Sequence, residues 1–281
     1  TGCNPFFYVD AVPSESADLQ TVRVNAALGG GLLPVPAELL HPVVRRQSDV
    51  PGFAVDPTQL LGRVLVLEGW ASPEDATAGL KAIPDDLASY VRRAATTAIG
   101  PADRRVRIPD LSAVRTNDRP QPTSGTLFGR AGARRFWYTL PEFAARHRPV
   151  LAVPRVNAGT PFFFLNTRPP TLTDANFCTI YGHSESLPPL ALLVLLNSTW
   201  ARACAECIGT PMGGGALKFE ATQLRELPLP LLSAEATSRL AEIGRRLTQM
   251  TRARGDDWLP AADAVVLREL FPHTEAIDSL R

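Results

Sequence analysis

Cysteine is scarce in this chain, with four in 281 residues. A disulfide scaffold needs a far higher density, so the composition points to a fold that stands on its own core and to a reducing cytoplasm. Long apolar runs are missing as well. The longest, Leu187 to Leu196, holds two prolines and falls short of the ~18 residues a membrane span requires. The chain opens at Thr1 without a basic region followed by an apolar core, so no signal peptide is expected, and the sequence reads as a piece cut from a longer polypeptide. The motifs HExxH, GxSxG and GxxxxGK do not occur, and His41, His147, His183 and His273 are scattered; metalloprotease, serine hydrolase and P-loop chemistry lack their defining parts. His183-Ser184-Glu185-Ser186 offers a Ser beside a His, but neighbours in sequence do not make a triad.

What is present is ordinary for a globular protein: 45% apolar and 20% charged residues, enough to bury a real core. The formal charge of +1 hides an asymmetry. Between Arg92 and Arg155 thirteen arginines stand against four acids, a local balance of +9, with no lysine among them. A planar guanidinium suits bidentate contact with phosphate or a guanine edge better than an ammonium does. The stretch therefore favours a polyanionic partner, the plain alternative being a solvated surface in an arginine-rich chain.

The pattern predicts a mixed α/β (α+β) fold of small mixed sheets with packed helices. Strands are expected at Phe6 to Asp10 and Thr21 to Val24, followed by a loop at Gly29 to Gly31 and a helical turn at Pro36 to Leu40. Arg63 to Gly69 reads as a buried strand. Pro84-Asp85-Asp86 opens a helix in which Leu87, Tyr90, Val91, Ala94 and Ala95 recur at helical spacing until Gly100-Pro101. Pro109 to Gly125 has the composition of a long surface loop. A short helix is expected over Leu140 to Arg146, and strands at Val150 to Val156 and Phe162 to Leu165 as a hairpin around Asn157-Ala158-Gly159, with another at Phe177 to Tyr181. Ser233 caps an amphipathic helix through Leu240, Ile243, Leu247 and Met250, and a short acidic helix is expected near Ala261 to Leu270. Cys204-x-x-Cys207 has neither a second CxxC nor a His pair after it, so these thiols read as core packing rather than as a zinc site.

The order of parts from Leu187 to Leu232 is unusual. An apolar helix ends in Asn197-Ser198, a glycine triplet follows at Gly213 to Gly215, then Lys218-Phe219 and a closing Leu-Pro-Leu-Pro. Upstream lie Thr1-Gly2-Cys3-Asn4-Pro5-Phe6-Phe7 and the segment RRFWYTLPEFAARHRPVLAVPRVNAGTPFFFLN from Arg134 to Asn166. In this succession the three segments resemble the target recognition domain of adenine-N6 DNA methyltransferases of restriction systems and, more loosely, type I specificity subunits. The first matches the family's Thr-Gly-x-Asn-x-x-Phe, and the second its Trp-Tyr segment followed by two strands. Val43-Val44-Arg45-Arg46-Gln47 is similar to a point in the family where a strand precedes a basic contact.

The resemblance implies a division of the chain into entry strands over 1–35, a DNA recognition domain over 36–232 and a C-terminal helical segment over 233–281, the last packing on the rest of an enzyme. It implies duplex DNA as partner and a covalently linked methyltransferase domain upstream that carries S-adenosylmethionine, with no cofactor, metal or catalytic residue in this chain. Asn4-Pro5-Phe6-Phe7 has one proline where the catalytic Asn/Asp-Pro-Pro-Tyr/Phe loop has two. The expected DNA-binding residues are Arg130, Arg134, Arg135 and Arg155 with Lys218 lining a groove on phosphates, one or two of these arginines or Asn157 or Asn166 on base edges, Trp137 against a base or sugar, and Gly213, Gly214 and Gly215 where a phosphate comes close to the backbone. Aromatics next to a strand, as Trp137 and Tyr138 are, more often belong to a core. The alternatives are a protein-interaction module docking through the Leu240 to Met250 stripe, without nucleic acid, and a single-stranded RNA binder, which lacks the paired aromatic strand motifs of such domains.

Overall fold

Alternating apolar and polar side chains lay down the first of two units, formed by Thr1–Val43 and Gln59–Ala144; the second comprises Val44–Thr58 and Ala145–Arg281. The structure is a computed structural model that describes residues 4–13, 16–76, 79–118, 136–167, 170–182, 185–252 and 257–272. Among these it contains seven helices and several small sheets, an α+β fold.

In the first unit α1 (Asn4–Phe7) leads into β1 (Tyr8–Ala11), followed by β2 (Leu19–Arg23), β3 (Leu32–Pro36), β4 (Leu40–Val44) and β5 (Gly62–Leu65). These strands run antiparallel in the order β4-β5-β1-β2-β3, with Tyr8 opposite Val64 and Thr21 opposite Pro34. Pro34 and Pro36 sit on the edge strand β3, where a missing N–H costs no ladder bond. Gly29, Gly30 and Gly31 turn the chain between β2 and β3 with φ of 89°, 62° and 90°, values that favour glycine over any residue with a Cβ. Helix α2 (Asp85–Thr96) buries Leu87, Ala88, Tyr90, Val91 and Ala94. The Tyr90 ring stacks on Phe6 at 5.2 Å while its hydroxyl donates to the Phe6 carbonyl at 2.9 Å.

Two expectations change here. The strand expected from Phe6 starts at Tyr8 because Asn4–Phe7 coil into a helical turn that buries both phenylalanines. In the segment expected as a surface loop, Val114 and Asn117 are buried and Asn117 Nδ2 donates to the Trp137 carbonyl at 3.0 Å; residues 119–125 lie outside the described residues.

The second unit is organised by its most apolar helix. Every residue of α3 (Pro189–Asn197) from Ala191 onward is buried, as expected of a helix apolar on all sides. One side faces α6 (Ala234–Leu247), and a Cβ on Gly244 would stand 2.4 Å from the Leu190 carbonyl oxygen; glycine there is the condition for this close crossing. Ser233 caps α6, its Oγ accepting from Ala236 N at 3.2 Å. Helix α7 (Leu259–Leu270) completes the cluster with Ala262 and Val266.

Asn197 ends α3 with a buried amide. Its Oδ1 accepts from Phe163 N at 2.9 Å and its Nδ2 donates to the Phe163 carbonyl at 3.0 Å, so the side chain imitates a strand neighbour and seats the 162–165 segment. Ser198 then caps α4 (Thr199–Ile208), which turns 67° from α3. No single described helix is long and apolar enough to cross a membrane.

Strand β10 (Leu151–Pro154), wholly buried, is central in a three-stranded antiparallel sheet between β12 (Phe164–Leu165) and β14 (Phe177–Ile180). The pairing of Leu151 with Leu165 agrees with the expected hairpin, but the connection is not a tight turn: β11 (Val156–Asn157) leaves for another sheet. The helix expected over Leu140 to Arg146 is reduced to a 3-10 turn at Ala145–His147, since Pro141 and the short apolar stripe give it no face to bury. Segment 44–58 is built into this unit: Leu165 N donates to Phe53 O at 2.8 Å, Val55 N to Leu165 O at 2.9 Å, and Phe53 packs edge-on against Trp258 at 5.7 Å.

The Cys204-x-x-Cys207 pair also departs from expectation. It lies on α4 rather than in the core, Cys204 half-buried and Cys207 exposed, and only Cys178 is a buried thiol among the described cysteines. The described residues contain no group of three or more His, Cys, Asp or Glu side chains arranged for a metal ion.

Candidate nucleic-acid interface

Arg155 and Lys218 are brought side by side by a small three-stranded sheet in the second unit. Strand β16 (Leu217–Lys218) runs between β11 and β15 (Thr210–Pro211), with Val156 and Thr210 both opposite Lys218. Phe219 N donates to Arg155 O at 2.7 Å and fixes the approach of the two segments. The hairpin between β15 and β16 has the glycine triplet at its tip. Gly214 and Gly215 take φ of 78° and 81°, and nothing lies within 4 Å of a Cβ placed on any of the three glycines. Gly213 has neither a positive φ nor a crowding neighbour, so the fold itself does not demand glycine there.

Beside this sheet opens a recess of about 460 Å³ whose lining includes Arg45, Arg46, Gln47, Arg155, Asn176 and Lys218. Four of these are cations. Their loops are held by a set of hydrogen bonds to the main chain. The Asp49 carboxylate accepts from both Arg45 N and Arg46 N at 2.8 Å, Asn176 Nδ2 donates to Arg45 O at 3.3 Å, and Arg155 N donates to Asn176 O at 2.8 Å. The main chain is thus pinned while the Arg46 side chain stands exposed.

Glu220 lies at the end of the same sheet. Its Oε2 pairs with Arg155 Nη2, and its Oε1 with Lys218 Nζ at 2.8 Å. These two cations hold its carboxyl below the usual carboxylate range, Lys218 contributing most. Glu220 also opens the short helix α5 (Ala221–Arg225), where its backbone N donates to Gln223 Oε1 at 2.8 Å.

The remaining expected site residues are distributed as follows. Arg130, Arg134 and Arg135 lie outside the described residues. Trp137 belongs to the first unit, half-buried against Phe6 at 5.0 Å, and its neighbour Tyr138 is buried. Asn157 is fully buried, its Nδ2 donating to Pro154 O at 2.8 Å, and Asn166 spends its amide on Thr171; neither side chain lines the recess. In the first unit, Arg92, Arg104 and Arg107 are exposed and pair with Glu74, Asp103 and Asp110, a solvated arrangement.

Sequence reasoning passed over Asn176 and Glu220 and, although it noted the 43–47 segment, left Arg45, Arg46 and Gln47 out of the candidate set. A signal existed for the arginines, a basic step directly after an apolar strand and followed by the capping Asp49. Asn176 and Glu220 had none, because Asn176 meets Arg45 and Glu220 meets Arg155 across long stretches of sequence.

An α+β chain with a cation-lined recess and an exposed glycine hairpin on one small sheet is the class these features define. Residues 130–267 match the family model of the C-terminal domain of the type II methyltransferase M.Eco57I. The match takes in the Trp-Tyr segment, the Asn197-Ser198 helix end, the glycine hairpin, α6 and most of α7. No curated protein sequence matches the chain.

Proposed function

We propose that this chain is the DNA-recognising part of an S-adenosylmethionine-dependent adenine-N6 DNA methyltransferase of restriction-modification or phage-defence type, with the methyl-transfer domain upstream. The observation that carries the reading is the placement of Arg155, directly before β11, beside Lys218 of β16 and its glycine hairpin, bordering a recess that also holds Arg45 and Arg46. Four cations along one open recess suit successive phosphates of a duplex, and phosphate contacts fix register. Gln47, an amide at the recess, would read a base edge. The hairpin tip, free of side chains at Gly213 to Gly215, allows a phosphate to approach the backbone.

In this reading the chemistry stays on the partner domain. Phe6 and Phe7 of the Asn4-Pro5-Phe6-Phe7 segment are 0% and 1% exposed, so neither ring is available to stack on a flipped base. The recognising part is the 36–232 interval, with 233–281 as the closing helical segment, and Arg130, Arg134 and Arg135 belong to the proposed DNA-contacting set. The test is twofold. Arg134→Ala with Arg135→Ala should weaken duplex binding and flatten its salt dependence by about one unit per lost phosphate contact. Joined to its upstream region, the chain should support transfer of a methyl group to adenine, and alone it should support none; methylation by the chain alone contradicts the division of labour.

A further inference from the structure

Glu220 is the one carboxylate joined to both Arg155 and Lys218 by described ion pairs. One of its oxygens meets the guanidinium and the other the ammonium, which is how the two non-bridging oxygens of a phosphodiester would be received. The array is not a chance meeting of long surface side chains. Arg155 and Lys218 are fixed by the β11–β16 ladder and the Phe219 N to Arg155 O bond, and Glu220 is fixed by the turn that starts α5. All three side chains keep 38–40% of their surface accessible, so an incoming anion reaches them without unfolding anything.

We propose that Glu220 is an internal counter-ion that occupies the phosphate-binding position of Arg155 and Lys218 until a seated duplex displaces it, and that it thereby sets the ratio of specific to non-specific binding. The inference rests on the proposed DNA-recognition reading and deepens it. The physical basis is competition. A solvent-accessible ion pair is weak, so a phosphate held in register by contacts elsewhere in the recess replaces the carboxylate readily. A duplex that is not held in register gains less, because it must displace Glu220 with no other contact to offset that cost. Sequence-independent attraction, which scales with the number of phosphates neutralised, is reduced, while the fully docked complex keeps both cations.

The experiment is titration of the full chain with a random-sequence duplex, followed by fluorescence anisotropy at several salt concentrations, for the wild type, Glu220→Gln and Arg155→Ala. Glutamine keeps the size and the accepting oxygen of the side chain, and a melting curve of the variant confirms its fold; Glu220→Ala serves as a second variant. The expected result is that Glu220→Gln binds random duplex about three- to tenfold more tightly than the wild type, with a salt slope steeper by about one to two units, while Arg155→Ala binds more weakly. Unchanged affinity and slope in both Glu220 variants, with Arg155→Ala still weakened, overturns the counter-ion role and leaves the DNA-binding reading standing. Weaker binding by Glu220→Gln also overturns it, making the carboxylate a group that positions the cations. Absence of duplex binding by every form at low salt removes both.

Discussion

The side-chain amide of Asn197 holds the backbone of Phe163 from both sides, accepting its N–H at 2.9 Å and donating to its carbonyl at 3.0 Å. A helix end and a strand are thereby joined by one residue with 0% exposure. Asn197→Ala leaves both Phe163 groups buried without partners, at about 1–3 kcal/mol each. The expected loss is about 2–4 kcal/mol in urea unfolding, and Asn197→Asp, which keeps the acceptor but not the donor, should also destabilise.

Gly244 makes a sign-definite case against helix propensity. Alanine favours a helix interior by about 1 kcal/mol, yet a Cβ here would stand 2.4 Å from the Leu190 carbonyl oxygen, and backbone cannot step aside cheaply. Overpacking of this kind costs about 1–3 kcal/mol. Gly244→Ala should therefore lower stability, measured by the denaturant midpoint, although the isolated α6 sequence becomes the better helix.

Tyr138 provides a pH signature. Its hydroxyl accepts from Ser72 N at 3.1 Å and donates to Asp75 Oδ2 at 2.8 Å, and burial, joined by the Asp75 carboxylate, pushes its pKa up to about 12. A pKa raised in the folded state means that the folded state holds the proton more tightly. The associated stability is whole below pH ~10, the unfolded value, and is lost as pH rises toward 12. Unfolding followed between pH 9 and 12 should show this decline, and Tyr138→Phe should lose the corresponding part of it.

These side-chain partners mark the limit of what the chain reveals by itself. Helix α2 was legible because Pro84, Asp85 and Asp86 start it and its apolar residues recur at one period, and α6 was legible for the same reasons with Ser233 as cap. The end of α3 at Asn197-Ser198 was legible too. The 67° turn into a separate α4 was not, since it depends on Asn197 turning inward to Phe163. Of the candidate site, Arg155, Lys218 and the glycine hairpin could be named in advance because each is a distinct residue type in a recognisable succession. Their adjacency to Arg45 and Arg46 is set by Asn176 and Asp49, through bonds spanning up to 131 positions, and no local pattern encodes such a bond.

Gly213 separates folding from recognition. Its φ is not positive, and a Cβ would meet nothing within 4 Å, so Gly213→Ala should melt within about 0.5 kcal/mol of the wild type. If a phosphate approaches the hairpin tip, the same variant binds duplex more weakly. Gly214→Ala, at φ of 78°, should in addition lose about 1 kcal/mol of stability.

The most direct test of the central claim is the salt dependence of duplex binding in a variant with Arg45, Arg46, Arg155 and Lys218 all replaced by alanine. If the recess holds phosphates, log affinity plotted against log salt should flatten by about two to four units relative to the wild type, with the melting temperature little changed. An identical slope in a folded variant would contradict the account, because the four cations bordering the recess would then take no part in holding DNA.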